Sequence, residues 1–377
     1  MGLYLNPTNI RFERSLRSKI YIDKSNIIAY TNEVLYTEQC YVCISRPRRF
    51  GKTITANMLT AYYSRGSDSK DLFANLKIAK EPSFKEHLNK YNVIFLNMQE
   101  FLSEYHTIEL MIKKIIDSIN REVLEEHPNF DFTYIDNLPQ TMQALFKLSG
   151  IPVIFIIDEW DCIFRGYQID IKEQKKYLDF LTNLLKDREY VALAYMTGIL
   201  PIKKLGTHSG LNMFDEFSTT DPVPLLEFFG FTQNEVMDLC EQYKMDYDEM
   251  TEWYGGYSFR DMKIVYNPKS VVEALLSKQI RNYWSQTESY ENLKIYIEKD
   301  FEGLKDGILQ LLAGKRKRIY IRTFANDMVT FKRCDDVLTL LIHLGYLGYD
   351  FETKEVFIPN KEILDEFVMA VKDIGWE

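Results

Sequence analysis

No stretch of the 377-residue chain approaches the roughly 18 uninterrupted apolar residues that a membrane-crossing helix needs. The opening residues, MGLYLNPTNIRFERS, carry charges and a proline where a signal peptide requires an apolar centre. Asn6 stands where an N-myristoylation signal has Ser or Thr. The expectation is a cytoplasmic protein with no membrane partner. Positive charge is also short. With 46 Lys and Arg against 55 Asp and Glu the formal net charge is −9, which argues against a general nucleic-acid footprint. Cysteine is sparse and odd in number, five, as suits a reducing compartment and not a disulfide framework. Cys40 and Cys43 form one CxxC pair, but residues i and i+3 of an extended segment face opposite sides, and no second pair completes a four-ligand set. They read as strand packing. His87, His106, His127, His208 and His343 are scattered without metal-ligand spacing, so no zinc site is expected.

What is present is an apolar run, Tyr41–Ile44, that breaks into Arg46-Pro47-Arg48-Arg49-Phe50-Gly51-Lys52-Thr53 and then a helical pattern from Ile54. Strand, loop and helix in this order are the frame of a phosphate-binding loop. Backbone N–H groups over 46–54 would wrap a nucleotide phosphate, Lys52 would reach the β- and γ-phosphates, and Thr53 would bind Mg²⁺. The motif GxxxxGK[ST] asks for glycine at its first position, and here that residue is Arg46. Farther along, Val153-Ile154-Phe155-Ile156-Ile157 is a wholly apolar strand that ends in Asp158-Glu159. Ionised acids are rarely placed at a buried strand end without a task. Asp158 would hold the Mg²⁺ through its water shell, and Glu159 would polarise the attacking water. Thr197, after the apolar run 190–196, stands either as a γ-phosphate sensor or as an ordinary strand-capping threonine.

The segment RPRRFGKT resembles the phosphate loop of the AAA-ATPase-like proteins common in gut and anaerobic bacteria, usually RPRRFGK[ST]. Further blocks are similar to that family: Tyr21-Ile22-Asp23-Lys24, Asp158-Glu159-Trp160-Asp161, Thr197-Gly198-Ile199-Leu200, and Ser209-Gly210-Leu211-Asn212 followed by Met213 where the family has a second Asn. Phe229-Gly230-Phe231-Thr232, the block from Trp253 to Tyr257, Tyr266-Asn267-Pro268, and Tyr283-Trp284 with Thr287 continue the likeness to about residue 290. The resemblance implies an ATPase that binds ATP or ADP with Mg²⁺ and controls a protein partner or an oligomer. Many members carry a nuclease-like domain of the PD-(D/E)XK type, and the tail here shows no acid pair followed by Glu-x-Lys on a strand.

The expected architecture is α/β: a P-loop NTPase sheet of AAA/ASCE type, parallel, with helices on both faces, followed by a helical lid and a winged-helix-like C-terminal region. Strands are expected at 41–45, 92–97, 152–157 and 190–196, and helices at 53–64, 107–125, 139–148 and 172–186, with a loop from Phe130 to Leu138. The boundaries read as a core over 1–221, a lid over 222–290 and a C-terminal domain over 291–377. Thr232-Gln233-Asn234-Glu235 is a capping box. A hairpin is expected from Leu347–Asp350 to Glu355–Ile358, an outline that can bind DNA or be purely structural. Lys315–Arg318 reads as a solvated loop before a strand.

Among the loop arginines, Arg46 is expected nearest the phosphates because it replaces the turn glycine, while Arg48 and Arg49 could meet phosphate, a neighbouring subunit or surface acids. Asp161 reads as a loop anchor, and Arg260 as a cation offered from the lid. In an open parallel sheet the nucleotide lies beyond the carboxyl ends of the strands, where the following helices could close on it. Two functions stay open: ATP hydrolysis driving a conformational change, or a nucleotide-gated binding module with little turnover. A component of DNA processing acting with a nuclease is a third, by family analogy alone.

Overall fold

The computed structural model describes residues 2–105, 107–129, 137–166, 171–202, 210–259, 262–286, 290–299, 301–324 and 331–376. The loop from Phe130, as well as His106, His208, Ser209, Arg260 and Thr287, falls wholly or mainly outside them. The chain divides into two compact units. Unit 1 comprises Met1–Ile44, Lys52–Gly198 and Ile202–Glu216; unit 2 comprises Ser45–Gly51, Ile199–Pro201 and Phe217–Glu377.

The main sheet holds β1 (Tyr41–Ser45), β2 (Asn92–Asn97), β3 (Val153–Asp158), β4 (Val191–Gly198) and β5 (Asp215–Phe217), in the order β2-β3-β4-β1-β5. β2, β3 and β4 are parallel, with Asn97 opposite Asp158 and Ile157 opposite Met196. Every residue of β3 and of β4 is buried, so both faces of the sheet are covered, as a parallel sheet requires. This is the P-loop-type α/β sheet that the alternating apolar runs predict.

The helices of unit 1 start where their sequences offer side-chain acceptors. Asn97 caps Met98–Glu104, Thr107 caps Ile108–Glu126 and Asn137 caps Leu138–Ser149, each accepting from a backbone N–H three residues on. Gly150, in the left-handed region, ends the last of these. The chain start is held by Glu122, whose carboxylate accepts from the backbone N–H groups of Leu3, Tyr4 and Leu5.

Unit 2 is less helical than its sequence suggests. Residues expected as a helical lid also carry an antiparallel sheet of β6 (Phe231–Thr232), β7 (Tyr257–Phe259) and β8 (Met262–Tyr266), with β8 in the middle. Strands of two to five residues are too short for alternation to stand out against helical periodicity. The expected capping box is present: Thr232 accepts from the Glu235 N–H while Glu235 accepts from the Thr232 N–H. The C-terminal hairpin pairs β10 (Gly348–Asp350) with β11 (Glu355–Phe357), and β9 (Lys317–Arg318) joins β11. Lys315–Arg318 therefore ends in a short strand, and Arg316 pairs with Asp350 at 2.8 Å. The core beneath runs through Leu293, Ile308, Leu338, Leu341, Val356, Ile363 and Phe367.

Candidate nucleotide site

The site in unit 1 forms where three chain segments meet at the ends of β3 and β4. The helix Lys52–Tyr63 begins with Lys52 itself, so its first-turn N–H groups lie beside Lys52 and Thr53. Asp158 is the last residue of β3 and is fully buried. Thr53 Oγ1 donates to Asp158 Oδ2 at 2.8 Å, and Thr197 Oγ1 donates to Asp158 Oδ1. β4 runs through Gly198, one turn of pleat beyond the expected end, which sets Thr197 directly beside Asp158. The Trp160 N–H donates to Thr197 O at 3.0 Å and closes the turn after β3. Gly198 has no room for a side chain there: a Cβ would lie 2.6 Å from Asp161 Oδ1 and 2.7 Å from Trp160 Nε1.

The charge balance at this corner is tight. Burial pushes the Asp158 carboxyl up; the bond from Thr197 opposes this, Glu159 adds to it, and Thr53 and Lys52 pull it back. Lys52, 4% exposed, is lowered chiefly by burial, against the raising pull of Glu159, Asp158 and Asp161. Glu159 follows the strand in the left-handed region, with φ 56°, which is costly for a non-glycine residue and typical of functional turns. Its carboxylate accepts from Arg165, whose Nε also lies 3.0 Å from Asp161 Oδ2 as an ion pair. Burial disfavours the Arg165 charge, but Asp161 and Glu159 outweigh it and its pKa is raised. Sequence reasoning missed Arg165. The available signal was its place four residues after Asp161, the spacing at which side chains meet on a helix, here Cys162–Gly166.

The loop Ser45–Gly51 belongs to unit 2, and most of its side chains are held there. The Arg46 guanidinium, expected nearest the phosphates, lies instead over the Phe259 and Phe229 rings at 5.2 and 5.5 Å. Its Nη1 donates to Phe217 O at 2.6 Å and to Ser45 O at 3.0 Å. Arg49, at φ 68°, stacks on Trp284 at 5.0 Å and donates to its carbonyl. Phe50 is buried against Tyr257, Phe259 and Val265, and its carbonyl accepts from the Gly230 N–H. Pro47 abuts Gly345, and Arg48 is half-buried. Gly51 has φ 91° with open space around its Cα, so the backbone conformation and not crowding calls for glycine. Ile54 is exposed.

Lys52, Thr53, Asp158, Glu159 and Thr197 are thus brought together in unit 1. Thr53 and Asp158 supply two hard oxygen donors already within hydrogen-bond reach of each other, a set that suits Mg²⁺ completed by water and phosphate oxygens.

A family model described as "Predicted AAA-ATPase" matches residues 11–207. A curated relative, an uncharacterized protein in the vnfD 5′ region of Azotobacter chroococcum mcd 1, is 23% identical over 274 residues, 71% of this chain and 50% of the relative. The chain therefore spans about half the length of that relative. Among solved structures, the Walker-type ATPase "paby2304" of Pyrococcus abyssi aligns at 14% identity and TM-score 0.45, covering 92% of this chain and 94% of that one. The ORC2 protein of Aeropyrum pernix, solved as ADPNP–ADP complexes, aligns at 11% identity and TM-score 0.42, covering 97% and 99%. No helix among the described residues is long and apolar enough to cross a membrane.

Proposed function

From a chain that belongs to the predicted AAA-ATPase family, we propose a protein that binds ATP with Mg²⁺ and hydrolyses its β–γ phosphoanhydride. The observation that carries this reading is the line of Thr53, Asp158 and Thr197, a carboxylate held between two hydroxyls, at the start of the helix that Lys52 opens. Lys52 supplies a point charge to the β- and γ-phosphates, and the helix N-terminus adds its first-turn N–H groups. Thr53 and Asp158 would hold the Mg²⁺, which when bound would neutralise charge developing on the phosphate oxygens. Glu159 orients the attacking water and accepts its proton. Thr197, bonded to the same carboxylate, would report on the γ-phosphate. Loss of that phosphate would then alter the position of a partner or of the second unit.

A second reading, a nucleotide-gated binding module that turns over slowly, draws on one observation. Glu159 is ion-paired with Arg165, so its carboxylate would have to leave that partner to take the attacking water. Phosphate release by purified protein separates the two, measured with and without DNA and beside Lys52→Ala. Turnover that Lys52→Ala abolishes supports the ATPase. Tight ATP binding without release supports the gated module. Unchanged ATP affinity in Lys52→Ala, where at least a tenfold loss is expected, would sink the phosphate-loop assignment itself.

A further inference from the structure

A phosphate loop normally opens on glycine because its backbone must turn sharply around an anion. Here that position carries the largest cationic side chain, and Arg46 is 0% exposed. A charge buried so deeply costs several kcal/mol unless it is hydrogen-bonded or stacked. Arg46 has both kinds of support. Nη1 donates to two carbonyl oxygens, Phe217 O and Ser45 O, and the guanidinium plane lies within cation–π reach of Phe259 and Phe229. His343, also fully buried, is lowered to about 3, first by burial and then by the Arg46 charge, so it adds no second positive charge there.

The neighbours repeat the pattern. Arg49 stacks on Trp284 and bonds its carbonyl, and Phe50 fills a cluster with Tyr257, Phe259 and Val265. Phe50 O takes the Gly230 N–H at 3.1 Å, and Gly230 is itself confined, since a Cβ there would stand 2.5 Å from Val265 Cγ1 and 3.0 Å from Phe50. Three of the six residues between Ser45 and Lys52 thus use their side chains to grip unit 2, and the chain passes from this grip straight into Lys52.

We infer that Arg46 is a positioning residue that clamps the phosphate loop to the Phe217–Phe229–Phe259 region of unit 2, and that this clamp sets the loop conformation that receives the phosphates. The inference rests on the nucleotide-binding reading above. It assigns the first loop arginine to holding the loop and leaves the phosphates to the backbone, Lys52 and Thr53. The planar fork is what the site needs: a lysine could carry the charge but could not bond two carbonyls while stacking on two rings.

The test is calorimetric titration of Mg–ATP into the full chain, with Arg46→Gly, Arg46→Lys and Phe259→Leu beside wild type and Lys52→Ala. Arg46→Gly restores the glycine of the common motif, so a loop that only needed that glycine would bind as well as wild type or better. The clamp predicts the reverse: at least tenfold weaker binding in Arg46→Gly, a smaller loss in Arg46→Lys, and faster amide exchange over 46–54 while β3 stays protected. KM for ATP should rise by the same factor with kcat changed less than threefold, a split that general destabilisation does not produce. Wild-type affinity in a folded Arg46→Gly protein would overturn the inference and leave the nucleotide reading standing. If Arg46→Gly does not fold, Phe259→Leu decides: it keeps Arg46 and the whole loop, a threefold or greater loss of affinity is expected, and unchanged affinity overturns the clamp. Absence of ATP binding by wild type would overturn both.

Discussion

Replacing Arg165 by Met should destabilise the protein by about 3–5 kcal/mol, and adding Asp161→Asn should recover at least about half of that loss. Methionine keeps the apolar stem and removes the guanidinium. Arg165 is 8% exposed, Asp161 is 0% exposed, and the contact between them is 3.0 Å. Removing one member of such a buried pair strands the other charge, and stranded buried charges cost about 3–5 kcal/mol. Glu159, 22% exposed, can turn toward solvent and should contribute about 1 kcal/mol or less. Native domains are held by about 5–15 kcal/mol, so the variant should stay folded with its margin visibly cut. Asp161→Asn removes the stranded charge, so the two substitutions should couple by about 2 kcal/mol in a double-mutant cycle. Urea unfolding followed by tryptophan fluorescence reports both quantities, with buried Trp160 beside the pair. A loss below about 1 kcal/mol in Arg165→Met, or strict additivity of the two changes, would refute the claim that Arg165 neutralises a buried acid.

Glu159→Gln should bind ATP near normally while phosphate release falls on the order of a hundredfold, and Asp158→Asn should first lose its Mg²⁺ dependence; titration and release assays run together distinguish them. Gly198→Ala should lower the unfolding midpoint, at a cost of about 1–3 kcal/mol, because its Cβ would stand 2.6 Å from Asp161 Oδ1 and 2.7 Å from the Nε1 of buried Trp160. Burial raises Glu362 from 4.5 to about 7, although it accepts from the Tyr283 and Trp284 N–H groups and from Ser270. Between those values the native chain keeps a proton that the unfolded chain has lost. The stability Glu362 contributes is therefore full below about pH 4.5 and vanishes as pH rises through about 7, a fall of about 3 kcal/mol. Glu362→Gln should remove that slope from the stability–pH curve, and an identical curve would show that Glu362 does not carry it.

Much of unit 1 is legible in the sequence because its signals are local. Apolar runs of five to eight residues mark β1 to β4 within one or two residues at each end. Thr232 announces a helix start, with Glu235 completing its capping box, because a short polar side chain can reach the N–H three residues ahead. Gly51-Lys52-Thr53 and Asp158-Glu159 are legible because the chemistry asks for those side chains at strand ends. What the sequence leaves open is every question settled by meeting residues far apart in the chain. The place of β1 is one: β1 lies on the far side of β4 from β3, a neighbour that is distant in the chain. The short sheet β6–β8 is another, since strands of two to five residues are stabilised by their partners and not by their own pattern. The task of Arg46 is the clearest case. By composition its guanidinium is a phosphate ligand, and its chemistry allows carbonyl oxygens and aromatic faces equally well. The choice was made by Phe217, Phe229 and Phe259, residues some 170 to 213 positions away in the chain, whose carbonyl oxygen and two rings meet the planar guanidinium.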